Sequence, residues 1–288
     1  MIKLIAADMD GTLISSNGEI SKENIKAIKE AQGREIKFAI ATGRALCDVA
    51  SMLKKYDLKC DTLIMNGAQY LDEDGNIISS TYIDKSKVKD ILKAMEHDDI
   101  CIEIYTDEGF FSADTKEKVL MGMIRRGRVF HPEIKTFEEL KAKAEENIHY
   151  INMKYINDMN DFIENNNIAK FISFSHDEEL IKTIRKRVDN IGGLAVSGSF
   201  STNVEVNDIN AEKGKILLEA GKRYNIKREE IAILGDGMND YSMFKEFPCS
   251  FAMSNAVPEI KKVAKYITSS NNENGVAKAI YKIINENL

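Results

Sequence analysis

The sequence predicts an α/β protein, a doubly wound parallel sheet interrupted by an inserted α+β unit. Three observations carry this. Short apolar runs at Leu4 to Ala7, Ile36 to Ile40 and Ile231 to Leu234 each end in a polar, glycine-containing turn, the pattern of buried strands feeding loops. Between the first two runs, Ser21 reads as an N-cap, and Ile25, Ile28 and Ala31 form an apolar stripe at helical spacing, so strand, helix and strand follow in order. The interval from Thr42 to Lys213 is far longer than such a core needs. Within the 288 residues, 1–83 and 200–288 are therefore assigned to the core and 84–199 to the insertion.

The pentapeptide Asp8-Met9-Asp10-Gly11-Thr12 closes the first run. Side chains alternate along a strand, so the two aspartates project to one side where it ends. Gly11 lets the chain turn, and Thr12 hydrogen-bonds back into the turn. Two acids about 4 Å apart, at an effective dielectric near 20, repel by roughly 4 kcal/mol. A hard divalent cation such as Mg²⁺ offsets that repulsion and suits carboxylate oxygens. A plain Asp-Gly turn is the competing reading.

After the second run, Ala41-Thr42-Gly43-Arg44 offers a hydroxyl and backbone N–H groups ahead of a helix, a natural seat for a phosphate oxygen. The core then reaches Met65-Asn66-Gly67-Ala68 and a hairpin turning at Asp74-Gly75. In the insertion, helices are expected at Ser86 to Met95, Thr115 to Met123, Met159 to Asn165 and Glu178 to Val188. Strands are expected at Ile100 to Tyr105, His149 to Ile156, Ala169 to Phe174 and Leu194 to Val196. That is a sheet with helices on one face. Val204-Glu205-Val206 reads as the return to the core.

Lys213 precedes a helical pattern, Ile216 to Ala220. Alone it is an ordinary surface lysine. The run Ile231 to Leu234 ends in Gly235-Asp236-Gly237-Met238-Asn239-Asp240, where Asp236 is positioned to ligate a metal and Asn239 and Asp240 to orient it or cap the next helix. All these segments fall at carboxyl ends of strands, where doubly wound sheets bind ligands.

In this order the segments resemble the four motifs of the haloacid dehalogenase superfamily, and more narrowly its Cof-type sugar-phosphatase branch, subfamily IIB. Asp8-Met9-Asp10-Gly11-Thr12 matches the nucleophile motif, Thr42-Gly43-Arg44 the second, Lys213-Gly214 the third and Gly235 to Asp240 the fourth. Met65 to Ala68 and the tail stretches Ala252 to Ala256 and Asn274 to Ala277 agree with that branch. The insertion is similar to a C2-type cap, subtype B. The resemblance implies a Rossmann-like core and a Mg²⁺-dependent phosphatase. Asp8 is assigned as the nucleophile that forms an aspartyl-phosphate, and by resemblance Asp10 is the general acid/base. It implies Mg²⁺ on Asp8, Asp236 and the backbone carbonyl of Asp10, and phosphate oxygens held by Thr42, Gly43 and Lys213. Asn239 and Asp240 would fix the geometry around Asp236 and the phosphoryl site, with Gly11, Thr12 and Arg44 supporting. The cap would close over the site and choose the substrate. One departure stands: Asn207 to Glu212 lacks the Gly-Val-Ser pattern frequent before the motif lysine.

Composition sets the outer bounds. Apolar content of 43% and charged content of 30% are those of a globular chain, and no apolar run approaches the length of a membrane span. Strand pattern begins right after Met1, without the pattern of a signal peptide, and the four dispersed cysteines read as thiols of a cytoplasmic protein. A net charge of −6 argues against nucleic acid, despite the basic run Arg125-Arg126-Gly127-Arg128. The expected partner is a small phosphorylated metabolite, with no membrane and a monomer as the default. Spacing does not place Glu103, Tyr105, Arg125, Arg126 or Lys154 in a substrate cleft. Two alternatives stay open: a phosphosugar mutase of the phosphomannomutase type, and a non-catalytic phosphometabolite-binding protein, which predicts damaged motifs where all four are intact.

Overall fold

A computed structural model describes residues 1–198 and 200–288. The chain divides into two units, Met1–Ser80 with Ala211–Leu288, and Thr81–Asn210.

The first unit opens with β1 (Leu4–Ala7), α1 (Lys22–Gly33), β2 (Lys37–Ala41), α2 (Leu46–Tyr56) and β3 (Asp61–Ile64), and the hairpin β4 (Gln69–Leu71) and β5 (Ile77–Ser80) follows. Ser21 caps α1 by accepting from Asn24 N. The buried face of α1 includes Ala27, Ile28 and Ala31 as the spacing predicts. It also includes Asn24, whose amide donates to Leu13 O and accepts from Ala277 N. No periodicity argument finds that asparagine, because its partners come from opposite ends of the chain.

The second unit follows in chain order: α3 (Val88–Met95), β6 (Glu103–Thr106), β7 (Gly109–Ser112), α4 (Lys116–Phe130), α5 (Phe137–Glu145), α6 (Ile148–Ile151), β8 (Lys154–Tyr155), α7 (Met159–Asn165), β9 (Ile168–Phe174), α8 (Glu178–Asp189), β10 (Leu194–Ser197) and β11 (Asn203–Asp208). Its sheet runs β10-β11-β9-β6-β7-β8. Apolar residues of α3 and α8, among them Ile91, Met95, Ile181 and Ile184, pack with Ile104, Phe171, Val204 and Val206 of the sheet. Each such side chain contributes about 1.5–3 kcal/mol on full burial.

The chain then returns with α9 (Lys213–Arg223), β12 (Ile231–Gly235), α10 (Tyr241–Glu246), β13 (Cys249–Ala252), α11 (Pro258–Val263), β14 (Tyr266–Ile267) and α12 (Gly275–Glu286). The core sheet has the order β14-β13-β12-β1-β2-β3-β4-β5, parallel except for the last two pairings. From β1 the chain builds outward to β2 and β3, and after the insertion it builds outward on the other side through β12, β13 and β14. The order therefore switches between β1 and β12, which are paired in register from Leu4↔Ile231 to Ala7↔Leu234. Among the described residues no helix is long and apolar enough to cross a membrane.

The structure moves several expected boundaries. Val204-Glu205-Val206 does not lead back to the core: it lies in β11, antiparallel to both β9 and β10, so the second unit ends at Asn210 rather than at residue 199. Ser199, the expected last residue of the insertion, lies outside the described residues. The other boundary falls after Ser80 instead of residue 83, because Ile83 belongs to the second core and its N–H donates to Ile168 O. The strand expected from His149 to Ile156 is the helix α6 followed by the short β8, as Asn147 caps His149 N and turns the backbone helical. Helix α4 runs on through Arg125 to Arg128, and β7 and α5 had no sequence expectation.

Candidate active site

Asp8 of the nucleophile motif meets Asp236 and Asp240 of the fourth at the switch point. Strand pairing extends one residue past β1, with Asp8 N donating to Leu234 O at 3.0 Å, so Asp8 begins where β12 is about to end. Asp236 follows β12 directly. Gly11 sits at φ +80°, and a Cβ there would lie 2.2 Å from Asp236 Oδ2. Only a residue without a side chain lets the turn approach the acid so closely. Thr12 then donates its hydroxyl to Asp236 Oδ1 at 2.9 Å.

Lys213 is the first residue of α9 and is almost wholly buried. Its Nζ donates to Asp8 Oδ1 at 2.6 Å and to Asp240 Oδ1 at 2.7 Å. The unusual segment before it does not displace it. Gly67, at φ +96°, explains part of this: a Cβ there would come within 2.8 Å of the Glu212 backbone, so the Asn66-Gly67 turn seats the chain just ahead of the lysine. Asp240 reaches back to accept from Asp236 N at 2.9 Å and Gly237 N at 3.1 Å, closing the turn that presents Asp236.

Oxygens of Asp8, Asp236 and Asp240 all lie within 4.8 Å of one another. At that separation or less, and an effective dielectric near 20, each pair of charges repels by roughly 3.5 kcal/mol or more. Three carboxylates face the single ammonium of Lys213. Burial, and next the charge of Asp240, push the Asp8 carboxyl well above the usual carboxylate range. The same two causes raise Asp236 to about 7. Burial would lower the Lys213 ammonium, but Asp240 and Asp8 outweigh it and the net shift is upward. The residues thus fit a divalent cation by their chemistry: hard oxygen donors and uncompensated negative charge. Lys213 and Thr12 take Oδ1 of Asp8 and Asp236, and among the described residues no protein donor takes Oδ2 of either. Asp240 has both oxygens engaged and acts as a brace.

Asp10 is not the third carboxylate of this cluster. Its side chain turns to Arg44, whose Nε and Nη2 donate to its two oxygens at 2.9 and 2.6 Å. Thr42 is buried at the end of β2, and its Oγ1 accepts from Arg44 N at 3.1 Å, which keeps the hydroxyl hydrogen for another acceptor. Gly43 is half-buried on the same turn. Asn239 is half-buried beside Gly237, and among the described residues no hydrogen bond ties its side chain to Asp236. Asn255 enters without a predicted role: its Nδ2 donates to Gly11 O at 2.8 Å, and its Oδ1 accepts from Asn271 N. The agreement of Ala252 to Ala256 with the Cof-type branch was the signal for it.

Within the second unit, Glu103, Tyr105 and Arg126 come together with His149. Beside them Lys170 and Glu205 form a buried ion pair at 2.6 Å. Arg125 lies 3.8 Å from Asp99, and Lys154 Nζ donates to Glu108 O.

The sequence model of the haloacid dehalogenase-like hydrolase family matches residues 5–280. Phosphatase YwpJ of Bacillus subtilis is 33% identical over 96% of this chain and 98% of its own. The 5-amino-6-(5-phospho-D-ribitylamino)uracil phosphatase YwtE of the same organism is 31% identical over 98% of each. A solved haloacid dehalogenase-like hydrolase from B. subtilis superposes with a TM-score of 0.84 and 32% identity, covering 97% of this chain and 99% of that one.

Proposed function

The chain belongs to the haloacid dehalogenase-like hydrolases and is a phosphatase, and from that premise we propose that it hydrolyses small phosphate monoesters, sugar phosphates or phosphorylated cofactor precursors, with Mg²⁺ and through an aspartyl-phosphate on Asp8. The observation that carries this reading is the buried Lys213 ammonium 2.6 Å from Asp8, within a carboxylate cluster that lacks balancing charge. A lysine so placed keeps one oxygen of Asp8 oriented while a phosphate dianion approaches. Mg²⁺ on Asp8 and Asp236 would supply the charge that offsets the phosphoryl oxygens.

In the first half-reaction a carboxylate oxygen of Asp8 bonds to phosphorus as the bond to the alcohol oxygen breaks. Asp10 gives its proton to that oxygen, since an alkoxide is a poor leaving group. In the second half, water gives a proton to Asp10, bonds to phosphorus and releases Asp8. Thr42, Gly43 and Lys213 hold phosphate oxygens, and Asp240 keeps Lys213 and the Asp236 turn in place. The same reading puts the protein in the cytoplasm as a monomer, and the dispersed thiols of Cys47, Cys60, Cys101 and Cys249 suit a reducing compartment.

The test is phosphate release from para-nitrophenyl phosphate, a panel of sugar phosphates and the phosphoribitylamino-uracil of YwtE's name, in Mg²⁺ and in EDTA, beside the Asp8→Asn protein. Mg²⁺-dependent turnover lost in Asp8→Asn supports the reading. Folded protein that releases no phosphate from any ester sinks it, and isomerised phosphosugar in its place identifies a mutase.

A further inference from the structure

The contact between Asp10 and Arg44 has a geometry that stability does not explain. Both carboxylate oxygens accept from the guanidinium, at 2.9 and 2.6 Å. The side chains are 31% and 32% exposed, and an ion pair so open to water stabilises a fold little. By contrast, the Lys213–Asp8 pair is 0% and 5% exposed. Both backbones are nevertheless fixed. Arg44 N donates to Thr42 Oγ1, Arg44 O accepts from Met65 N at 2.9 Å, and Asp10 forms a β-bridge with Ile14. The side chains are the movable parts, and a planar fork accepts a carboxylate in one orientation.

From this geometry we infer that Arg44 is the positioning residue for Asp10. Its fork sets the direction in which the Asp10 oxygens face the leaving group, and one arm opens when the alcohol oxygen takes its place. This rests on the reading of Asp10 as the proton donor. During phosphoryl transfer the bond from phosphorus to the alcohol oxygen breaks and the bond to Asp8 forms, while the proton that Asp10 took from water in the preceding turnover, carried on the oxygen whose Arg44 arm has opened, moves to the alcohol oxygen. Arg44 then receives Asp10 back as a carboxylate. Arg44 touches no reacting atom in this scheme.

The inference separates two kinds of ester. Para-nitrophenolate leaves without a proton, whereas a hexose 6-phosphate needs one. The experiment measures kcat/KM for both, because that ratio reports transfer to Asp8 and not the later hydrolysis. Misplacing a catalytic group by about 1 Å costs about 100-fold, so Arg44→Ala is expected to lose at least about tenfold more on the hexose phosphate than on the aryl ester. Millimolar guanidinium should restore part of the selective loss. Arg44→Lys keeps the charge but not the fork, and should show a smaller loss of the same selectivity, which keeps the test alive where Arg44→Ala does not fold. Asp10→Asn is the control. If it is selective and both Arg44 variants lose equally on the two esters, Arg44 does not position Asp10. If Asp10→Asn itself loses equally on both, the proton-donor reading falls and the Arg44 inference falls with it.

Discussion

Lys213→Met replaces the buried ammonium with an apolar chain of similar length. It removes two ion pairs at once, at 2.6 and 2.7 Å, and leaves Asp8 and Asp240 facing each other and Asp236 without a cation. Breaking a buried pair from one side costs roughly 3–5 kcal/mol, because the remaining charge has lost its water and its partner. At roughly 2–4 °C per kcal/mol for a chain of this size, Tm should fall by about 10 °C. Two features make the prediction specific. Asp8 already holds its proton more tightly than an unfolded carboxyl, and without Lys213 it holds it more tightly still. The carboxyls can therefore relieve the strain by protonating, and the loss should shrink from pH 8 to pH 5. A cation that binds the cluster should also recover part of the loss, by about 2.7 kcal/mol at a concentration 100 times its Kd. Thermal melts of both proteins in EDTA and in Mg²⁺, at pH 5 and pH 8, read all of this. A loss under about 1 kcal/mol at pH 8 in EDTA would refute the charge argument, since no buried pair broken from one side should cost so little.

Gly11→Ala forces a Cβ to 2.2 Å from Asp236 Oδ2 at φ +80°, so turnover should fall by about 100-fold or more with a modest drop in Tm, measured by kinetics and melting together. EDTA should abolish turnover and Mg²⁺ restore it. Mg²⁺ should also raise Tm of the wild type but not of Asp236→Ala, as differential scanning fluorimetry would show. In EDTA, Asp236 binds its proton up to about pH 7 when folded but releases it near 3.8 when unfolded, so its contribution is favourable at low pH and is lost as pH rises between those values. Asp236→Asn should accordingly match the wild type at pH 4 and exceed it at pH 8, by an amount on the order of a few kcal/mol in urea titrations. Asn255→Ala frees the Gly11 carbonyl and should lower kcat several-fold with KM nearly unchanged.

Much of this protein was legible because its chemistry sits at local boundaries. Apolar runs end in polar turns, and that is a property of neighbouring residues, so the places of Asp8, Thr42, Lys213 and Asp236 at strand ends and a helix start follow from the chain itself. The inserted unit is legible for a related reason: a βαβ core has a known length, and the excess must go elsewhere. What the sequence alone could not decide is which surfaces meet. Val204-Glu205-Val206 alternates as any strand does, and the choice of sheet came from its pairing with β9 and β10. Nothing in the sequence paired Asp10 or Asp240 with a particular cation. The fold gave one to Arg44, 34 residues away, and the other to Lys213, 27 residues away. Partnership between charges depends on distances of a few ångströms across separate elements, and those are set when strands register and helices pack, after local preference has done its part.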